Sequence, residues 1–376
     1  MLNNALDMIN EISNNGFKAY IVGGFVRDHL LGINSNDIDI TTNATPMEIR
    51  DIFRDDCLPG EDYGSVTVVR NNYKYEITTF RKDIGYDDNR RPNEIEYIDS
   101  LREDLTRRDF TINTICMDKD GKIIDYLHGI DDLKRRVVRC VGDADVKFKE
   151  DSLRILRAVR FATILDFRLD NDVIDSINNN KELIRNLSYN RKKEELDKIF
   201  TSSHSRNGIG LLLRYKLDKE LEISNLEKVR CFSSSISIWS MLDYSDKYPF
   251  SSNERDIINN VHEVMKKNNL DPYNLFYYGL YVNSIAGEIK GINPKKITKA
   301  YVNLPIKRRR DIDVEVDDIV TLLNKEPGGY LKVIFEDIEN EILYRRLPNE
   351  SDKILSYINN KYKDMEELYE EPIKKR

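Results

Sequence analysis

Residues 23–46 read GGFVRDHLLGINSNDIDITTNATP: two adjacent glycines, a basic residue, and two aspartates one residue apart. "FKAYIVGG" ahead of them reads as a strand ending in glycine, and "FVRDHLLG" as a short helix closed by Gly32. "DIDITT" alternates like a strand, which would place Asp37 and Asp39 on one face. Two carboxylates held side by side repel each other, so a cation is expected to compensate them.

Oxygen-rich pairs of this kind suit hard divalent cations, and Mg²⁺ usually takes one or two carboxylates plus phosphate oxygens and water. Gly23 and Gly24 leave backbone N–H groups open to an anion, at the start of a helix that carries Arg27 one turn in. Together these parts predict a nucleoside triphosphate held with Mg²⁺. Taken alone, a DxD in a surface loop and a GG in a turn are common and do not establish a function.

The chain of 376 residues is long enough for two or more domains. Its 40% hydrophobic and 33% charged residues are those of a soluble globular protein, expected in the cytoplasm. The acidic, amphipathic start lacks the pattern of a signal peptide, and no apolar run suits a membrane span. Four scattered cysteines and four histidines, without CxxC or HExxH, argue against a zinc site, a disulfide framework or a histidine metallohydrolase. A net charge of −7 speaks against a DNA-coating protein, and no DNA partner is expected. It leaves room for a local basic groove.

Helix and strand signals mix up to about residue 145. "SVTVVRNNYKYEITTF" reads as two strands around a turn at Asn71-Asn72, with Glu76 a third acidic candidate or an exposed strand carboxylate. "FRKDIGYDDNRRPNEIEYI", residues 80–98, reads as a polar mobile loop. Beyond 145 the spacing is helical, with loops at "LPIKRRRDID" and "KEPGGYLK".

"KFKEDSLRILRAVRFATIL", residues 147–165, spaces Asp151, Arg154, Arg157 and Arg160 by three on a helix. At about 100° per residue they sweep roughly half the circumference, with Asp151 and Arg154 neighbours on one face. The apolar residues between the arginines suggest an inward-facing basic groove; a salt-bridge ladder is the alternative. A carboxylate only accepts and a guanidinium only donates hydrogen bonds. Such a pair suits the donor-beside-acceptor edge shared by cytosine and adenine and mispairs with uracil and guanine. Buried mispairing discriminates on the order of 10⁴.

GG-x-V-R-D, L-L-G, then D-x-D and a threonine resemble the first motif of nucleotidyltransferases related to DNA polymerase β. More narrowly, they resemble the class II tRNA CCA-adding enzymes and bacterial poly(A) polymerases. RRDFT-x-N from Arg107 resembles the family's second motif, and EDxxRxxRxxRF its nucleotide-selecting motif. D-x-x-x-G-x-x-D-L at Asp125, Gly129, Asp132 and Leu133 resembles its head-to-neck segment. His128 and Ser152 depart from the glycine and proline frequent there. The stretch 205–290 resembles nothing specific, while "VDDIVTLLNKEPGGYLK" again looks like the family's tail.

The resemblance implies an α/β nucleotidyltransferase head with a polymerase β-like mixed sheet, followed by an all-α neck, body and tail. The expected divisions are 1–142, 143–205, 206–290 and 291–376. It assigns Asp37 and Asp39 to catalysis and Mg²⁺, and Gly24, Arg27 and Arg108 to nucleotide binding. Asp151 and Arg154 would read the base, with Arg157 and Arg160 holding phosphates or shaping the pocket. Asp109 is placed near the ribose hydroxyl. The segment 80–98 resembles the flexible loop of complete CCA-adding enzymes.

The implied activity adds CCA to the tRNA 3′ end from CTP and ATP without a template. Lys295, Lys296 and the run Lys307 to Arg310 are candidate tRNA phosphate contacts. A-only addition, CC-only addition, poly(A) synthesis, and RNA binding on an inactive scaffold are the alternatives.

Overall fold

The computed structural model describes residues 1–60, 64–87, 91–229 and 234–363. The chain divides into two units, Met1–Cys231 with Leu242–Pro249, and Phe232–Met241 with Phe250–Arg376.

The first unit opens with α1 (Leu2–Asn14), whose Ala5, Met8, Ile9 and Ile12 recur at helical spacing and are fully buried. It leads into β1 (Ala19–Val22), then α2 (Gly24–Leu30), β2 (Asp39–Thr42) and α3 (Pro46–Phe53). Gly32 closes α2 with a positive φ of 70°. Its N–H reaches His29 O, and Ile33 N–H reaches Asp28 O at 2.9 Å, a Schellman end. A capping box, Thr45 with Glu48, and Pro46 in the first turn start α3.

Strands β3 (Ser65–Arg70) and β4 (Tyr73–Thr79) form the expected hairpin, with Asn71 and Asn72 both at positive φ. Next come β5 (Arg81–Asp87) and β6 (Arg91–Tyr97), then α4 (Leu101–Thr106), β7 (Cys116–Met117) and β8 (Ile123–Ile124). The mixed sheet runs β3-β4-β2-β1-β7-β8, with β2 parallel to β4 and antiparallel to β1.

Segment 80–98 differs from its reading as a loop. β5 and β6 pair antiparallel, with Arg81 opposite Tyr97 and Ile84 opposite Glu94. The alternation that makes them strands is carried largely by charged residues, which hides it from a hydrophobic pattern. The tip, residues 88–90, lies outside the described residues.

Helices follow: α5 (Gly129–Arg135), α6 (Ala144–Glu150), α7 (Leu153–Ile164), α8 (Asn171–Asn180), α9 (Tyr189–Phe200), α10 (Ser205–Arg214) and α11 (Leu217–Glu220). A Cβ at Gly129 would come within 2.3 Å of Thr111 O, so only glycine lets α5 approach there. The β-runs thin out here: among the described residues two-residue pairs join Val137–Val138 to Arg168–Leu169 and Ile223–Ser224 to Asp243–Tyr244. Cys57, Cys116 and Cys140 are free thiols, and Cys231 lies outside the described residues.

The second unit is helical: α12 (Ser235–Trp239), α13 (Ser252–Met265), α14 (Pro272–Lys290), α15 (Pro294–Val302), α16 (Val316–Leu323), α17 (Tyr330–Leu343) and α18 (Ser351–Tyr362). One core gathers Ile319, Ile334, Ile338, Ile342, Ile354 and Ile358. Trp239 is fully buried edge-on to Phe250, ring centres 5.3 Å apart.

Candidate active site

Asp39 opens β2 and pairs in register with Val22 on one side and Glu76 on the other. Asp37 precedes the strand instead of lying in it, yet both aspartates line one cleft of about 550 Å³. Burial, then the charges of Asp37 and Glu76, push the Asp39 carboxyl up to about 6, against the pull of Arg108. Glu76 thus belongs to the acidic group, although it is exposed.

Among the described residues no three His, Cys, Asp or Glu side chains form a ready cage for a metal. The donors present are carboxylates with excess negative charge, a set that fits a hard divalent ion completed by phosphate oxygens and water.

The sharp turn ahead of α2 is set by Gly23, at φ 81°, a region only glycine enters without strain. Gly24 and Arg27 line the cleft beside it. The Arg27 guanidinium is buried. It donates to Asn113 Oδ1 at 2.7 Å and pairs with Asp28 at 2.8 Å. Asn113 donates in turn to Asp109 at 3.1 Å. Burial raises the Asp109 carboxyl, but Arg157, Asn113 and the Phe110 N–H outweigh it and hold it at about 2.

Sequence spacing put Asp151 on the arginine helix. The structure places it in the extended break between α6 and α7, at φ −141° and ψ 104°. Asp151, Arg154, Arg157 and Arg160 nonetheless line the same cleft, since the break turns Asp151 toward it. Each arginine has an acid: Arg154 with Glu150, Arg157 with Asp109, and Arg160 with Glu195, all at 2.6 Å. Groove and ladder are therefore one structure. Arg154 also donates to the Arg107 carbonyl at 3.1 Å. The Phe161 ring sits under Arg27, Arg157 and Arg160, at 5.2, 5.4 and 4.2 Å.

Sequence reasoning missed Arg191, which donates to Asp151 at 3.0 Å from α9, and Glu195 one turn later. "NRKKEEL" looks like any solvated helix face, and nothing local points to a partner 40 positions back. It also passed over Asp104 and gave Arg107, the first residue of the RRDFT motif, no role of its own. Among the described residues eight arginines and six aspartates line the cleft, an excess of cations in an acidic chain, as an anionic ligand requires.

In the second unit, Lys295, Lys296, Lys307, Arg308 and Arg310 are exposed. Arg309 is engaged with Glu339 at 2.5 Å.

Three family models match the chain: Poly A polymerase head domain over residues 19–139, Probable RNA and SrmB-binding site of polymerase A over 166–223, and tRNA nucleotidyltransferase domain 2 putative over 246–358. The chain is 32% identical over 395 residues to a CCA-adding enzyme of Staphylococcus haemolyticus, covering 96% of this chain and 99% of that one. It is 34% identical over 382 residues to one from Lactococcus lactis, covering 94% and 96%. Among solved structures, the Bacillus stearothermophilus CCA-adding enzyme in complex with CTP aligns with a TM-score of 0.83 at 28% identity, covering 95% and 96%. The Thermotoga maritima CCA-adding enzyme complexed with tRNA aligns at 0.69 and 20% identity, which bears on the fold. With a mixed-sheet head, a helical remainder and relatives matched over nearly their whole length, the chain belongs to the CCA-adding enzyme family of nucleotidyltransferases.

Proposed function

We propose that this protein adds C, C and A in turn to the 3′ end of tRNA, taking CTP and ATP as substrates and using no nucleic-acid template. The observation that carries this reading is that one cleft holds both an acidic pair, Asp37 and Asp39, and an acid–arginine set, Asp151 and Arg154. Mg²⁺ is the ion we assign to Asp37 and Asp39; when bound it lowers the pKa of the attacking 3′-hydroxyl and neutralises charge on the leaving pyrophosphate.

Every other part of the work falls to the chain. Gly24 lets the triphosphate approach the backbone, and Arg27 and Arg108 supply donors to it. Asp151 accepts from the amino group shared by cytosine and adenine, and Arg154 donates to the adjacent ring nitrogen. Arg191 holds Asp151 and Glu150 holds Arg154, so the reading pair is set before a nucleotide arrives. Arg157 and Arg160, packed on Phe161, shape the pocket wall.

We assign residues 1–142 as head, 143–205 as neck, 206–290 as body and 291–376 as tail, with the exposed lysines and arginines of the tail toward tRNA phosphates. Among the described residues no helix is long and apolar enough to cross a membrane. We place the enzyme in the cytoplasm, where its substrate is.

The deciding assay supplies the protein and Mg²⁺ with tRNA ending before CCA, after C or after CC, each with one nucleotide at a time. Full activity gives C, C and A on the matching ends and no U or G. Products limited to C or to A reveal a partial enzyme, and A tracts a poly(A) polymerase. Asp37→Ala is expected to lower transfer by at least about 10³-fold. tRNA binding, measured by filter retention, stays within about threefold. Transfer surviving that change would overturn the metal assignment.

A further inference from the structure

Asp104, in the middle of α4, has a side chain with no exposure to solvent. Donors from four positions converge on it. Arg107 Nε donates at 2.9 Å and Arg108 Nη2 at 3.4 Å. The Arg81 N–H, at the root of β5, donates at 3.2 Å, and the Thr41 hydroxyl, two residues past Asp39 on β2, lies 3.4 Å away with its one proton shared with the Thr78 carbonyl at 3.3 Å. Burial alone would raise this carboxyl, but the charges of Arg107 and Arg108 and the bonds from Arg107 and Arg81 leave it below the usual range, so it is anionic at neutral pH.

Arg108 therefore has two sets of acids to answer to: Asp104 holds one guanidinium nitrogen at 3.4 Å, and the cleft that Arg108 lines is also lined by Asp37 and Asp39. Its Nε is buried without a hydrogen-bond partner among the described residues, so the guanidinium is not fully satisfied where it stands.

We propose that Asp104 is a positioning residue for nucleotidyl transfer: its carboxylate holds the Arg108 guanidinium back from Asp37 and Asp39, keeping the acidic pair open to a divalent ion. Without that restraint Arg108 swings onto Asp39 and takes the place of the ion. This inference rests on the proposed function, because it gives Arg108 and the acidic pair their roles.

The test reads Mn²⁺ binding to the nucleotide-free protein by loss of the free-ion paramagnetic resonance signal. Asp104→Asn is expected to weaken it about tenfold. Adding Arg108→Gln to that variant is expected to restore it to within about threefold of the parent, since the competing cation is gone. A merely structural role for Asp104 predicts no such rescue. Unchanged binding in Asp104→Asn, or a loss that the second change does not restore, overturns the proposal.

Should Asp104→Asn fail to fold by circular dichroism, Arg108→Gln alone still decides. With Asp104 in place it is expected to leave Mn²⁺ binding within about twofold. A tenfold gain would show that Asp104 restrains nothing. If the parent binds Mn²⁺ but transfers no nucleotide to tRNA, the functional reading fails and the comparison among variants stands. If the parent binds no Mn²⁺, the acidic pair is not a metal site and this proposal falls.

Discussion

The setting of Asp39 costs the fold stability. Its carboxyl is held at about 6 by burial and by Asp37 and Glu76, well above its ordinary 3.8. The unfolded chain gives up that proton first, so without metal the folded state loses stability as pH rises from about 4 to about 6, and the loss persists above. Asp39→Asn removes the penalty while keeping the shape. It is expected to stabilise the metal-free protein by about 2 kcal/mol at pH 7 and by nothing below about pH 4. Denaturant melts at the two pH values in EDTA check this, and equal effects at both would refute it. That Asp37 and Asp39 face one cleft could be read from the sequence because their spacing and the glycines ahead of them are local. Arg191 and Glu195 could not, because their partners, Asp151 and Arg160, sit 40 and 35 positions away and only packing of α9 on α7 brings them together.

At the scale of elements, the strands and helices with apolar periodicity were legible: β1 through β4, α1 and α7. The hairpin β5–β6 was not, since pairing there does not rest on an apolar face. The two departures from the family pattern become physical statements about element ends. Ser152 starts α7 at φ −65°, after an extended Asp151, and its buried hydroxyl has no hydrogen-bond partner among the described residues. That is the backbone proline prefers, at itself and before itself. Ser152→Pro is expected to add roughly 0.5–1 kcal/mol, raising the melting temperature of the first unit by about 2–4 °C. His128, ahead of α5, sits in the left-handed region at φ 61° with its ring exposed. There His128→Gly is expected to gain about 1 kcal/mol. A fall in melting temperature by scanning calorimetry in either variant would contradict these backbone assignments.

For the whole molecule, charge is segregated by place: a net acidic chain carries a cation-rich cleft in one unit and exposed lysines and arginines in the other. Binding to tRNA through phosphates should weaken with salt. Replacing Lys295 and Lys296 by Gln is expected to make the slope of log K against log salt shallower by about 1–2. CTP affinity should stay unchanged. An unaltered slope would remove these lysines from the interface. The division into units was the least legible feature, because the chain passes between them more than once and no linker composition marks the crossings.

That weaving has a practical use. The sequence contains a single tryptophan, Trp239, and the short segment carrying it is sequestered in the interior of the helical unit. Indole fluorescence is thus a one-site spectroscopic label already built into the protein: a red shift reports loss of structure around α12, with no optical background from a second indole.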